Sequence, residues 1–408
     1  MKTIAIAGTF DTKGKEYLYV KGLVEELGLQ PLMIHMGVFP PDFPADISNQ
    51  EIAQAAGYDL QELVDRRDRA LATEVLSKGM QRVVVRLYQE GKFDGILSFG
   101  GSGGTSMVTP AMRELPIGVP KLMVSTMASG NVEQYVGTSD IIMMPSIVDV
   151  AGLNEISRTV FRNAVSAIAG MVEARDKWKE ASREQKHLVA ATMFGVTTPC
   201  VNYAKEYLEQ HGYEVLVFHA TGTGGRTMEA LIDAGFFQGV LDITTTEWCD
   251  ELIGGVLAAG SHRCEAAGRN KIPQVVSVGA MDMVNFGPID TVPEKFLSRN
   301  LYRHNPTVTL MRTTVSENIR IGNKLAEKLN MAKGKTILML PLGGVSEIDK
   351  PGQPFYGKEE DEALFQTLRK ETDANVVRIE EMNQNINDPI FGETAAKKLI
   401  ELMEAESK

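Results

Sequence analysis

The chain has 408 residues, of which 43% are hydrophobic and 23% are charged, and its formal net charge is −11. The length exceeds what one hydrophobic core supports and predicts two domains, while the negative charge argues against nonspecific binding to nucleic acid or to an anionic membrane. Cys200, Cys249 and Cys264 lack metal-ligand spacing, and no apolar run is long enough to span a bilayer. We therefore expect a cytoplasmic protein with reduced thiols.

Strands and helices alternate through the first 180 residues. An apolar run at residues 2 to 7 predicts the first strand, a helix follows over residues 17 to 27, and residues 31 to 36 predict the second strand. Residues 45 to 92 are expected to be mostly helical, beginning with Ser48 and Glu51 as a capping box. Further strands are predicted at residues 96 to 99, 119 to 125 and 141 to 144, and a helix at residues 154 to 175.

A glycine-rich segment follows the third predicted strand. Residues 100 to 106 contain four glycines and three hydroxyl side chains. Glycine permits φ > 0 and a close approach of the backbone to a ligand, and successive N–H groups in such a turn bind anions. The segment predicts a cradle for phosphate or carboxylate. The alternative is a tight turn between strand and helix that binds nothing.

The pattern begins again near residue 188. Adding 184 maps Ile4 onto Leu188 and His35 onto His219, and the shorter spacing of the second half indicates an insertion at residues 45 to 92. Strands and helices alternate to the end, with no hairpin signal. We predict two doubly wound, mainly parallel, Rossmann-like α/β lobes related by an internal repeat, residues 1–180 and 181–408, with a cleft between them.

The polar loops of the first lobe are expected to meet at the carboxyl ends of its strands. Asp11 or Asp140 is expected to hold magnesium through carboxylate oxygen. The loops contain neither a Walker A motif nor a dinucleotide fingerprint, which disfavours nicotinamide cofactors. The candidate cofactor-binding residues are Gly8, Thr9, Asp11, Thr12, Lys13, Gly100, Gly101, Ser102, Gly103, Gly104, Thr105, Ser106, Ser129, Gly130 and Thr138.

The second lobe has its own polar residues after strands. Thr223, Gly224 and Arg226 are candidates for binding an anionic substrate, since an arginine grips carboxylate or phosphate with two hydrogen bonds. His219 is either a catalytic group or, like His35, a packing residue. The candidates for acid–base catalysis are His219, Glu247, Asp282 and Glu347.

The motifs at residues 8–14, 98–105, 137–141, 144–154, 219–225 and 341–346 resemble those of the UPF0261 family, also called the Tm-1-like ATP-binding family. The resemblance covers essentially the whole chain. It implies binding of ATP with magnesium, as in the plant member, whose antiviral activity is not expected to transfer. That member has a further barrel domain, so a separate TIM-barrel protein is a candidate partner here, beside self-association into a homodimer or higher homo-oligomer.

Three functions remain open on the sequence. The first is an ATP- and magnesium-binding α/β protein that acts on or senses a small anionic metabolite, such as an organic or sugar acid, in the interlobe cleft. The second is a non-catalytic, nucleotide-sensing regulatory module. The third is a sugar-acid enzyme that uses acid–base or metal chemistry without ATP turnover.

Overall fold

The computed structural model describes residues 1–179 and 187–405, with side chains omitted at residues 176–179. It divides into two compact units, Met1–Arg183 and Glu184–Lys408. The boundary predicted between residues 180 and 181 lies outside the described residues. None of the described helices has the length and apolar character needed to cross a bilayer.

The first unit alternates strands and helices as predicted, with three consecutive helices after its second strand. Its elements are β1 (Thr3–Gly8), α1 (Phe10–Glu26), β2 (Gln30–His35), α2 (Asn49–Ala55), α3 (Leu60–Arg66), α4 (Arg69–Gln89), β3 (Gly95–Gly100), α5 (Ser102–Arg113), β4 (Lys121–Ser125), α6 (Glu133–Val136), β5 (Ile142–Pro145) and α7 (Glu155–Lys179).

These five strands form a parallel sheet in the order β2-β1-β3-β4-β5. The side chains of β1 alternate between two cores. Ile4 and Ile6 pack with residues of α1 and α7, whereas Ala5 and Ala7 pack with residues of α4 and α5. Helices α1 and α5 therefore cover opposite faces of the sheet. The strand order reverses between β1 and β3, which is where doubly wound folds leave a crevice.

The second unit contains a longer version of the same alternation. Its elements are β6 (Leu188–Met193), α8 (Thr198–Gln210), β7 (Glu214–His219), α9 (Thr223–Asp233), β8 (Gly239–Thr244), α10 (Glu247–Ile253), α11 (Ala266–Arg269), β9 (Gln274–Gly279), β10 (Met283–Phe286), β11 (Leu301–Asn305), β12 (Val308–Arg312), α12 (Val315–Leu329), β13 (Thr336–Pro341), α13 (Lys358–Glu371), β14 (Val377–Met382) and α14 (Pro389–Glu404).

Six of these strands form a parallel sheet in the order β14-β13-β9-β8-β6-β7. The expectation that no hairpin occurs is wrong, because β10, β12 and β11 form a separate antiparallel sheet. The turn between β11 and β12 is stabilised by Asn305, whose side chain accepts a hydrogen bond from the N–H of Thr307 at 2.8 Å. Asn305 followed by Pro306 is a turn signal that sequence analysis overlooked.

The internal repeat is visible in the strand pairing. Ile4 lies opposite Pro31 and Gly95, and Val189 lies opposite Val215 and Gly239. Val189 is thus the counterpart of Ile4, and the alignment of Ile4 with Leu188 is wrong by one residue. The difference matters because a shift of one residue moves side chains to the other face of a strand.

The predicted insertion consists of α2, α3 and α4, which stand where the second unit has only α9. Helix α4 packs along both α2 and α5. Ser48 caps α2 as predicted by accepting a hydrogen bond from the N–H of Glu51 at 3.2 Å. The reciprocal half of the capping box is absent, since the Glu51 carboxylate pairs with Arg86 instead.

The close packing of α4 on α2 requires a glycine at position 79. A Cβ atom there would lie 1.9 Å from the carbonyl oxygen of Ile52, whereas a Cβ atom at Gly170 in α7 would have no neighbour within 4 Å. We expect Gly79→Ala to lower the free energy of unfolding by about 1–3 kcal/mol through overpacking. The matched control Gly170→Ala should raise it by roughly 0.5–1 kcal/mol. Urea denaturation checks both, and equal effects would contradict this packing.

Candidate functional site

A cavity of about 930 Å³ lies in the first unit where the strand order reverses. It is lined by loops that follow the carboxyl ends of β1, β2 and β3, and by the junction between α3 and α4. Its volume falls within the range typical of small-molecule sites. Of the predicted cofactor-binding residues, those that line the cavity are Thr9, Asp11, Thr12, Lys13, Gly101, Ser102, Gly103 and Gly104.

The glycine-rich segment contributes the start of α5. Gly101 caps the helix with φ −81°, and Gly100, Gly103 and Gly104 likewise do not adopt positive φ. The expected φ > 0 turn is therefore wrong, because the helix begins directly after the strand. Among residues 1–179 and 187–405, the N–H groups of Ser102, Gly103 and Gly104 have no hydrogen-bond acceptor. Such open N–H groups, with the helix dipole, favour an anion.

Several predicted residues support this loop without lining the cavity. The buried Thr105 hydroxyl lies 2.7 Å from the carbonyl oxygen of Gly101 and 2.6 Å from the Ser125 hydroxyl, which joins the loop to β4. Gly8 leaves room for Tyr17, since a Cβ there would lie 1.9 Å from the Tyr17 ring. Ser106, Ser129, Gly130 and Thr138 are not among the lining residues.

Three cationic side chains line the cavity. Lys13 donates a hydrogen bond to the carbonyl oxygen of Val150. The side chains of Arg67 and Arg69 have no hydrogen-bond or ion-pair partner among the described residues. Arg67 ends α3 with φ 51°, a conformation that favours glycine. Sequence analysis missed both arginines, although a basic run between two helices was visible at residues 66–69.

The two acids predicted to hold magnesium lie at opposite ends of the strands, because Asp11 follows β1 and Asp140 precedes β5. Asp11 lines the cavity; its Oδ2 accepts a hydrogen bond from the N–H of Phe39 at 3.1 Å, and its buried Oδ1 has no partner among the described residues. Asp140 precedes β5, accepts from the N–H of Gly118 at 2.7 Å, and pairs with the buried Lys121 at the start of β4. Asp140 is therefore removed from the candidate site.

Apolar residues also line the cavity. Val38 and Phe39 follow β2, and Leu63 and Val64 come from α3. Phe39 is 59% exposed although it is a large aromatic residue. The lining thus combines three cations and open N–H groups with apolar side chains and an exposed ring, and it also contains the acids Asp11, Asp68 and Asp149.

In the second unit, the glycine-rich turn is built for packing. His219 ends β7 at the surface, with its ring 5.4 Å from that of Phe194. A Cβ at Gly224 would lie 1.8 Å from the carbonyl oxygen of His219, so Gly224 lets α9 approach β7. Arg226 is exposed and donates a hydrogen bond to the Thr223 hydroxyl at 3.3 Å.

Glu247 is fully engaged within the protein. Its Oε1 accepts hydrogen bonds from the N–H groups of Gly222 at 2.7 Å and Gly225 at 3.1 Å. Its Oε2 accepts from Nε of Arg263 at 2.7 Å. Arg263, which is 1% exposed, also binds Asp242 with two hydrogen bonds. Because both oxygens of this buried carboxylate accept hydrogen bonds, Glu247 stabilises the loop before α9 and has no free oxygen for proton transfer.

Asp282 belongs to a buried cluster around Arg312. The guanidinium lies 2.7 Å from Asp361 and 3.7 Å from Asp349, and Asp282 accepts a hydrogen bond from Ser346 at 2.8 Å. Three acids surround one cation, and burial followed by repulsion from Asp349 raises the pKa of Asp282 to about 7. The same two causes raise the pKa of Asp361 to about 8.

The four predicted catalytic residues therefore lie in separate settings. Glu247 and Asp282 are buried in two different ion-pair clusters, and His219 is exposed beside Phe194. Glu347 is exposed and pairs with Lys350 at 2.7 Å. The described residues contain no group of three or more acids, histidines or cysteines that could hold a metal ion.

The fold and the cavity define a two-unit α/β protein with a ligand-sized cavity at the switch point of its first unit. The chain belongs to the uncharacterised protein family UPF0261, whose N-terminal domain matches residues 2–177 and whose C-terminal domain matches residues 186–403. The predicted resemblance to this family is confirmed. The chain is 54% identical over 404 residues to a UPF0261 protein of Clostridium tetani, covering 99% of each.

A plant relative is longer. The ToMV resistance protein Tm-1(GCR237) of Solanum lycopersicum is 47% identical over 340 residues, which cover 82% of this chain and 45% of the tomato protein. Among solved structures, the UDP-N-acetylglucosamine 2-epimerase of Rickettsia bellii covers 99% of this chain and 96% of its own at 11% identity. Its TM-score of 0.22 is too low to support an inference about function.

The Arg312 cluster predicts a pH dependence of stability. The pKa of Asp282 rises from 3.8 to about 7 on folding, so the stability from its protonated form is complete below pH 3.8 and is lost as pH rises through 7. Each pKa unit corresponds to about 1.4 kcal/mol. As pH rises from 5 to 8, the free energy of unfolding should therefore fall less for Asp282→Asn than for the wild type.

The control for this experiment is Asp290→Asn, because Asp290 is exposed. Urea denaturation at several pH values measures the slope for each variant. If Asp282→Asn and Asp290→Asn show the same slope, Asp282 does not take up a proton on folding.

Proposed function

We propose that the first unit binds a nucleotide of the ATP type, with its phosphates against the first turn of α5. The observation that carries this proposal is the cavity itself, whose lining combines open N–H groups and three cations with apolar side chains. In doubly wound sheets, ligands bind outside the carboxyl ends of the strands at the switch point.

The polar lining residues of the cavity suit a phosphate chain. The N–H groups of Ser102, Gly103 and Gly104 need acceptors, and the guanidinium groups of Arg67 and Arg69 have no partner among the described residues. Phosphate oxygens accept hydrogen bonds from both kinds of donor, and charge-assisted bonds are about twice as strong as neutral ones. An anion in this position would satisfy donors that the chain leaves open.

The apolar lining residues of the cavity suit a planar base. Phe39 offers an exposed aromatic face, and Leu63 and Val64 provide apolar surface nearby in the lining. Aromatic side chains stack on nucleobases, with a contribution of roughly 1–3 kcal/mol per base measured in nucleic-acid complexes. A ligand that combines a base with phosphates therefore matches both kinds of lining residue.

Magnesium fits this proposal through Asp11. Its Oδ1 is buried without a partner among the described residues, and Gly37 leaves the space that this oxygen occupies, since a Cβ there would lie 2.1 Å from it. Proteins usually hold Mg²⁺ with one or two carboxylates together with substrate phosphates and waters. When bound, the ion would neutralise phosphate charge.

The second unit favours a nucleotide-sensing module over an acid–base enzyme. His219, Glu247, Asp282 and Glu347 lie in separate settings, and the carboxylate of Glu247 is satisfied internally. We propose binding of the nucleotide as the activity of the first unit, with the second unit as the part that responds to a partner or a small anionic metabolite.

Calorimetric titration of the full chain with Mg-ATP tests the proposal. Arg69→Ala should weaken binding by roughly 10-fold or more, because a hydrogen bond to a charged group contributes about 1.5–3 kcal/mol. The control Arg162→Ala removes an exposed arginine from α7, away from the lining residues. Absence of binding to the wild type, or equal affinity of the two variants, would contradict the proposal.

A second variant separates ligand affinity from stability. Arg67 adopts φ 51°, which costs a residue with a side chain roughly 1–2 kcal/mol relative to glycine. Arg67→Gly should thus keep or raise the urea midpoint while Mg-ATP affinity falls. A variant that is more stable and binds Mg-ATP as tightly as the wild type would show that Arg67 serves another purpose.

A further inference from the structure

The ring of His35 joins the two segments that follow β1 and β2. Its Nδ1 accepts hydrogen bonds from the N–H groups of Phe10 at 3.2 Å and Gly37 at 3.4 Å. Its Nε2 lies 2.8 Å from the carbonyl oxygen of Phe39. Because Nδ1 faces two donors, it carries no proton, and Nε2 is the nitrogen that donates to Phe39. These three contacts therefore need the neutral ring, which burial also favours by lowering the pKa of His35.

Two further side chains hold the same segment. The Asp11 carboxylate accepts a hydrogen bond from the N–H of Phe39 at 3.1 Å. Nδ2 of Asn49, a buried residue at the start of α2, donates to the carbonyl oxygens of Gly37 at 2.7 Å and Phe39 at 3.4 Å. The backbone of Phe39 is thus fixed at both its N–H and its carbonyl group, while its ring is exposed in the cavity lining. A ring on a fixed backbone loses little conformational freedom when a ligand stacks on it.

The second unit has a histidine at the same place of the repeat. His35 ends β2 and His219 ends β7, and each ring lies 5.4 Å from a phenylalanine, Phe10 in the first unit and Phe194 in the second. The His219 ring is exposed and has no hydrogen-bond partner among the described residues, whereas His35 is fully buried. Packing against phenylalanine is therefore common to both histidines. The three hydrogen bonds distinguish the histidine whose neighbours line the cavity.

We infer that His35 is a positioning residue of the nucleotide site, which sets the affinity for the base by holding Phe39 in the cavity lining. The inference rests on the proposed function and deepens it, because it names the residue that governs recognition of the base. His35 is buried and is not among the lining residues, so it acts through residues 37–39. It therefore affects binding of the base and not binding of the phosphates at α5.

The test compares two ligands that share a phosphate chain and differ in the base. Mg-ATP carries adenine, and Mg-tripolyphosphate has three phosphates without a base. Calorimetric titration of the full chain with each ligand gives the preference for Mg-ATP as a ratio of affinities. Loss of folding lowers both affinities together, whereas loss of the position of Phe39 lowers the ratio.

Two variants separate the functions of the two ring nitrogens. His35→Asn places an amide near the position of Nδ1, where it can accept from Phe10 and Gly37, and it has no group that reaches Phe39. His35→Gln extends its amide to the position of Nε2, where it can donate to Phe39. The control is His304→Asn, because His304 is an exposed histidine of β11.

We expect His35→Asn to lower the preference for Mg-ATP by roughly 5-fold or more, in line with the contribution of one base–aromatic stack. His35→Gln should retain more of this preference, and His304→Asn should leave both affinities unchanged. Phe39→Ala removes the ring directly. If His35 acts through Phe39, His35→Asn should lower the ratio no further when it is added to Phe39→Ala, because the two changes remove the same contact.

Three results would overturn the inference while the nucleotide proposal stands. In the first, His35→Asn weakens both ligands equally. In the second, the wild type binds Mg-ATP no more tightly than Mg-tripolyphosphate. The third needs no variant to fold, since nitrogen NMR of the wild-type ring distinguishes a protonated from an unprotonated nitrogen. A proton on Nδ1 of His35 would contradict the hydrogen bonds on which the inference depends.

A different result would count against the function itself. If the wild type does not bind Mg-ATP, the nucleotide proposal fails, and hydrogen exchange of the free protein then tests His35. Faster exchange at Gly37 and Phe39 in His35→Asn than in His304→Asn would show that His35 positions this segment. Equal exchange in the two variants would overturn the inference as well.

Discussion

The first unit depends on the reversal of strand order between β1 and β3. Because the chain leaves these neighbouring strands toward opposite faces of the sheet, α1 and α5 diverge from their first residues. Backbone N–H groups at the start of α5 cannot be satisfied by α1 or by the sheet, and a space remains above the strand ends. The glycine-rich first turn of α5 lines that space.

The same topology has different consequences in the two units. The insertion of α2, α3 and α4 adds apolar residues and two arginines to the lining of the cavity, whereas Asp11, Lys13 and Phe39 come from the segments after β1 and β2. The second unit lacks the insertion, and in it Glu247 forms a buried ion pair with Arg263. Glu247 thus satisfies N–H groups at the start of α9, whereas those at the start of α5 have no acceptor among the described residues.

Local patterns predicted much of this. Apolar runs gave the parallel strands, and the glycine-rich segment at residues 100–104 marked the cavity. Arg67 and Arg69 were missed, because only tertiary packing of α4 on α5 brings an exposed basic turn to the glycines. Asp140 was misplaced because it lies before a strand, at the amino ends of the strands. The prediction treated this position as equivalent to a position after a strand. Glu247 was taken for an acid–base residue because sequence cannot show that its oxygens are satisfied.

Hydrogen exchange of the full chain with and without Mg-ATP tests the location of the site most directly. The N–H groups of residues 102–104 have no acceptor among the described residues, so they should exchange rapidly in the free protein. The account predicts that Mg-ATP slows exchange at residues 101–107 and 67–73 and leaves residues 222–226 unchanged. Protection confined to the second unit, with residues 101–107 unaffected, would contradict it.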